Sequence, residues 1–159
     1  MTKVESNIKP KKFQPTKGGI AYVALLRTAD RLKASFEAIM APFDITAQQY
    51  NVLRILRGAG PNGLPTLTIA ERMIERAPGI TRMIDRMEAK DLVFREDCPK
   101  DRRRIFCRIT KKGLDLLDLL DEPIDKKNRS FDGLNKAELE ELTVLLEKVL
   151  KGFERNPGR

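Results

Sequence analysis

The chain has 159 residues, of which 41% are hydrophobic and 34% charged, with a formal net charge of +8. That length suffices for one domain with its own core, and the charge points to an anionic partner. Histidine is absent and serine occurs only at positions 6, 35 and 130, which excludes a Ser–His or Cys–His nucleophile pair and leaves no expectation of a structural zinc site. The two cysteines and the lack of a signal-like apolar stretch predict a reducing, cytoplasmic setting. No apolar run approaches the ~20 residues of a membrane span, so no membrane partner is expected. Residues 1–65 carry ten Lys or Arg against four acids, 66–112 thirteen against eight, and 113–159 eight against eleven. The C-terminal third therefore faces something other than a polyanion.

In chain order, residues 1–17 hold five lysines and two prolines with little apolar content, which reads as a disordered basic arm, either a solvated tail or one that touches phosphates. Residues 18–159 read as a single domain. A long helix spans Gly19 to Met40, where Tyr22, Leu25, Leu26, Ala29, Leu32, Phe36, Ile39 and Met40 keep one stripe and Pro42 helps end it. Thr46 and Gln49 make a capping box, with Ile45 and Tyr50 as its hydrophobic staple, for a helix that ends at Gly58-Ala59-Gly60-Pro61. A second box, Thr68 with Glu71, opens a short helix to Arg76. Pro78 then occupies the first turn of a helix through Ile80, Met83, Ile84 and Met87, which leaves Thr81, Arg82, Asp85 and Arg86 outside.

From Leu92 to Thr110 the pattern is a β-hairpin: Ile105, Cys107 and Ile109 alternate with Arg104, Phe106 and Arg108. Between its strands Lys100-Asp101-Arg102-Arg103-Arg104 makes a cationic tip. Lys100 to Lys112 contains seven basic residues and one acid, Asp101. Two helices joined by a tight turn, then a basic hairpin, form a winged helix. Lys111 to Phe131 reads as a helix that Pro123 should kink or divide. The last helix starts at an Asn135/Glu138 box, with Leu134 and Leu139 as staple, and continues its stripe to Phe153. The fold class is thus mainly α with a small β-hairpin (α+β). A winged helix-turn-helix lobe occupies 46–110, and the N- and C-terminal helices, 18–45 and 111–159, form a helical dimerisation region. The Leu-rich stripes need more apolar partner surface than one such lobe offers. They could pair within the chain, but a homodimer is preferred, with Tyr22, Leu117, Leu120, Leu142, Leu146, Val149 and Phe153 at its interface.

Asp101-x-Arg103 followed by Ile109-Thr110-x-x-Gly113 resembles the wing signature of the MarR (multiple antibiotic resistance regulator) transcription factors. Ile80-Thr81-Arg82-x-x-Asp85-Arg86-Met87-Glu88 is similar to their recognition helix, and Leu92-Val93-x-Arg95 to their first wing strand. The resemblance runs from about Gly19 to Phe153. It departs at Asp91, where many members have Gly, although Asp tolerates the left-handed conformation of a helix end. It departs again at Ile74, where Gly is frequent in the turn.

The resemblance implies a homodimeric regulator on a near-palindromic double-stranded DNA operator. Gly79, Thr81, Arg82 and Arg86 are the candidates for the major groove, and Gly79 would let the backbone approach closely. Lys100, Arg102, Arg103 and Arg104 are the candidates on the wing. Three like charges on a narrow hairpin repel one another unless an anion joins them. Arg103, at the Asp-x-Arg position, is the candidate for minor-groove insertion, with Asp101 orienting the wing arginines. The family also implies an aromatic or phenolic small-molecule effector held between the dimer helices and the DNA-binding lobe. Phe36, Met40, Tyr50 and Arg54 are candidates to line that pocket, although all but Arg54 could equally be core. Cys107 reads as a small core hydrophobe, and Cys98, near the basic tip, leaves a redox-responsive alternative open. No cofactor, metal or catalytic residue is expected. The rival readings are a sequence-tolerant architectural DNA binder with the same fold and, from another class, a small enzyme; the missing histidine argues against the latter.

Overall fold

The structure, a computed structural model, describes residues 16–75, 78–98, 101–128 and 131–155, without the side chains of 98, 101–104, 127–128 and 154–155. Helix α1 (Lys17–Met40) begins on Thr16, whose hydroxyl accepts the Gly19 N–H at 3.0 Å. The expected arm therefore stops short of 17, and its residues 1–15 lie outside the described residues. A 3-10 turn, Ala41–Phe43, carries Pro42, and Asp44 reverses the chain at φ 52°. Helix α2 (Ala47–Ala59) opens with the expected box. The Gln49 N–H donates to Thr46 Oγ1 at 3.2 Å, and the Thr46 N–H donates to Gln49 Oε1 at 3.0 Å.

A strand the pattern did not show follows. β1 (Leu64–Pro65) pairs antiparallel with β3 (Asp101–Ile109), which pairs antiparallel with β2 (Val93–Cys98), so the hairpin is the larger part of a three-stranded sheet ordered β1-β3-β2. Two residues, one of them proline, offer no alternation to read. The strand is placed instead by Gly63, at φ +63°, where a Cβ would stand 2.5 Å from the Cys107 carbonyl oxygen.

The start of α3 (Thr66–Arg72) corrects the sequence reading. Pro65 occupies the N-cap position without a side-chain bond, so Thr68 and Glu71 lie inside the helix and form no box. The chain enters α3 straight from β1, which leaves no room for the expected cap. Helix α4 (Ile80–Ala89) likewise starts after Gly79, and Pro78 stands in the turn before it, not in its first turn.

Asp91 does what the sequence asked of it. At φ 57° it ends α4, its N–H donates to the Glu88 carbonyl, and the Leu92 N–H donates to the Met87 carbonyl at 3.0 Å. The Thr110-x-x-Gly113 motif is a joint between this turn and α5 (Lys111–Asn128). The Thr110 hydroxyl donates to the Asp91 carbonyl at 2.7 Å and accepts the Gly113 N–H at 3.0 Å. A Cβ on Gly113 would meet the Leu92 carbonyl oxygen at 2.4 Å. Helix α5 passes through Pro123 undivided over Lys111–Asn128, residues 129–130 lie outside the described residues, and Phe131, expected at its end, is not α-helical. Helix α6 (Lys136–Arg155) opens with the Asn135/Glu138 box, at 2.8 and 3.1 Å.

The core gathers the C-terminal end of α1, the inner faces of α2, α4 and α5, and the sheet: Met40, Leu53, Leu56, Ile69, Ile84, Met87 and Cys107 are fully buried. Leu117 and Leu120 belong to it too, at 0% exposure. This corrects their assignment to a dimer interface: they are consumed by the protomer's own packing, where α5 lies on α2. α1 and α6 behave differently. Tyr22 (59% exposed), Leu146 (42%), Val149 (50%) and Phe153 (67%) remain open, Leu142 is half-buried, and Leu119 on the outer side of α5 is exposed as well.

Candidate nucleic-acid interface

Amphipathic periodicity turns Ile84 and Met87 of α4 into the core, half-buries Ile80 and Met83, and leaves Thr81, Arg82, Asp85 and Arg86 on one exposed face. Gly79 precedes that face, with nothing within 4 Å of where a Cβ would stand. Its missing side chain is therefore not demanded by packing within the protomer. The four expected groove residues are thus brought together on one side of the molecule.

The wing stands beside this helix, joined to it by a residue the sequence reading left without a role. Arg95 shares the inner side of β2 with buried Val93, while Phe94 faces out. Its Nη1 donates to Glu88 Oε2 at 2.7 Å, and its Nη2 to Asp85 Oδ1 at 2.7 Å and to the Thr81 carbonyl at 3.3 Å. The Arg95 backbone N–H also donates to Glu88 Oε1 at 2.9 Å. Burial opposes the guanidinium charge, but Asp85 and Glu88 outweigh it and hold the Arg95 pKa above its ordinary value. The signal that could have found this was Asp85 and Glu88 at i, i+3 on one helix edge, facing a strand with an inward arginine.

The sequence reading set residues 100–104 between the strands. In the structure Asp101, Arg102, Arg103 and Arg104 belong to β3, with Cys98 paired to Asp101 and the register shifting between Asp97 and Cys98. The irregularity lets a nine-residue strand face a six-residue one. The side chains of Asp101, Arg102, Arg103, Arg104 and Cys98, and the whole of Lys100, lie outside the described residues. Further down the wing, Arg108 pairs with Glu96 at 2.9 Å.

A second feature lies between α1 and the lobe, a cleft of about 780 Å³ lined by Phe36, Tyr50 and Arg54 among others. Met40, expected to line it, does not; it is fully buried beneath. Arg54 donates to the Tyr50 hydroxyl at 2.9 Å. At the edge of the cleft, Glu75 of the α3–α4 turn accepts from Lys33 of α1 and Gln48 of α2, each at 3.1 Å. Those two hydrogen bonds, that from Gln48 first, lower the Glu75 pKa. Ile74, in the position where glycine was noted as frequent, donates its N–H to Asn51 Oδ1 at 3.0 Å.

Cys107 is buried, and burial pushes its thiol up to about 11, so it carries no thiolate at neutral pH. Among the described residues there is no group of His, Cys, Asp and Glu able to hold a metal ion, and no helix long and apolar enough to cross a membrane.

A family model described as the MarR family matches residues 45–105, which run from the entry to α2 into the second wing strand, β3. The crystal structure of a MarR transcription factor from Planctomyces limnophilus is 43% identical, covering 86% of this chain and 98% of that one with a TM-score of 0.64. The S. aureus MepR–DNA complex is 25% identical, covering 82% of this chain and 97% of that one with a TM-score of 0.74. The homoprotocatechuate degradative operon repressor of Escherichia coli is 29% identical over 80% of this chain and 86% of its own length.

Proposed function

This chain belongs to the MarR family of winged-helix, DNA-binding transcriptional regulators, and from that premise we propose that it acts as a homodimeric repressor, released from a near-palindromic operator by a small aromatic or phenolic effector. The observation that carries this reading is the pairing of one exposed polar face, Thr81, Arg82 and Arg86 on α4, with uncovered apolar faces on α1 and α6 of the same chain. A second copy seated on those faces would set two α4 helices side by side. Successive major grooves on one side of DNA are about 34–36 Å apart, so the dimer spacing decides whether both helices engage. The cleft beside Phe36, Tyr50 and Arg54 touches both α1 and the α3–α4 turn. A molecule wedged there would alter that spacing to the extent that it prefers one arrangement over the other. Repression is favoured over activation by the E. coli relative, itself a repressor.

The test begins by selecting bound sequences from random DNA and titrating wild type, Thr81→Ala, Arg82→Ala and Arg103→Ala on the selected and a mixed-sequence duplex. The first two substitutions should each weaken the selected site by roughly 1–3 kcal/mol and the mixed duplex much less, because base contacts carry the sequence information. Arg103→Ala should cost more on A·T-rich than on G·C-rich flanks if its side chain enters the minor groove. Failure to enrich any sequence, with equal affinity for all duplexes, would replace this reading by the architectural one.

A further inference from the structure

Two carboxylates, Asp85 and Glu88, stand on the helix that presents Thr81, Arg82 and Arg86, and in a phosphate-lined groove each would be repelled. Their side chains are 55% and 38% exposed, yet both meet one guanidinium, that of Arg95, which is itself only 23% exposed. Arg95 sits on the wing strand, so its bonds to Asp85, Glu88 and the Thr81 carbonyl tie the first turn and the end of α4 to β2. A planar guanidinium can engage all three acceptors at once; a lysine ammonium offers no such fork.

We propose that Arg95 is a positioning residue for DNA binding: it fixes the angle between α4 and the wing and neutralises Asp85 and Glu88, without itself touching DNA. The proposal rests on the DNA-binding reading above but assigns a role which that reading does not need. Thr81, Arg82 and Arg86 meet the duplex, and Arg95 determines at what angle and against what background charge they do so.

A double-substitution cycle on the full chain tests it, with binding read by fluorescence anisotropy on the selected duplex and on a mixed-sequence duplex at several salt concentrations. Arg95→Ala should weaken binding about tenfold or more while leaving the helical circular dichroism intact. Asp85→Asn should change affinity little while Arg95 is present, because that carboxylate is already neutralised. In the Arg95→Ala background the same substitution should tighten binding about fivefold or more, a coupling that independent sites lack. Should Arg95→Ala fail to fold, Arg95→Lys takes its place, with a smaller loss and the same sign of coupling. Unchanged affinity in the arginine variants overturns the proposal. So do independent effects of the two substitutions; if these come with a salt slope lower by about 0.9, Arg95 is a phosphate contact instead. Wild-type protein that binds neither duplex overturns the DNA-binding reading and this proposal with it. Wild-type binding with no coupling overturns the assignment of Arg95 alone.

Discussion

Helix α4 and helix α6 follow the same amphipathic rule and end in opposite states. On α4, Ile84 and Met87 are fully buried and no large apolar side chain stands clear. On α6, Val144, Leu145, Leu146, Val149, Leu150 and Phe153 are all exposed, and α1 adds Ile20, Tyr22, Val23, Leu25 and Leu26. An apolar stripe reports that a helix will be covered; it does not say whether the cover comes from the same chain. The core beneath α4 is closed within one protomer, although Leu67 and Ile74 of the same lobe stay exposed. The exposed apolar residues of α1 and α6 are left without cover from the same chain, and they are the surface that the proposed second copy would cover.

The sharpest way to break this contrast is to charge the open region. Leu146→Glu would bury a carboxylate in the proposed dimer, at a cost on the order of 3 kcal/mol, or more than a hundredfold in dimer dissociation. Sedimentation should show monomers, and operator affinity should fall with dimerisation. A stable Leu146→Glu dimer with normal affinity would mean that α6 is not the interface.

The closed region should respond differently. Ile84→Ala removes a fully buried side chain and should lower protomer stability by about 2–5 kcal/mol in urea unfolding. Leu150→Ala, at a position 62% exposed, should leave a dilute protomer nearly as stable and act on the dimer dissociation constant. Equal effects of the two on unfolding at low protein concentration would erase the distinction.

The smallest effect concerns an ion pair that joins α2 to α5 within the protomer. Arg57 of α2 donates to both carboxylate oxygens of Asp121 on α5, at 3.0 and 3.1 Å. That bond, and then Coulomb attraction against the opposing effect of burial, lowers the Asp121 pKa. A folded-state pKa below the unfolded value of about 3.9 stabilises the protein above that pH, and the gain is lost as pH falls through the folded-state value. The Asp121 side chain is 45% exposed, so solvent screening limits the contribution to less than about 1 kcal/mol. Asp121→Asn should be slightly less stable than wild type at pH 7, and the gap should shrink as the pH falls below the unfolded value of about 3.9.

Local signals in the chain determined much of this protein. The Thr46/Gln49 and Asn135/Glu138 boxes are settled within four residues, and Asp91 could be read as a left-handed helix end because few other residues tolerate it. The stripes of α1, α4 and α6 and the alternation of Ile105, Cys107 and Ile109 were legible for the same reason: periodicity is a local property. Tertiary structure decided the rest. β1 exists because Gly63 lets the backbone lie against Cys107, and that contact pre-empts the Thr68 cap. Leu117 and Leu120 could not be told from interface leucines until α5 was seen packed on α2, whereas Leu146 and Phe153, with the same periodicity, stayed outside. Met40 went to the core and Phe36 to the cleft for a like reason. Arg95 acquired its partners only when β2 was laid beside α4. A stripe fixes which side of a helix avoids water, but contacts between distant segments depend on how closed backbones can pack, and that is not written in any one window of sequence.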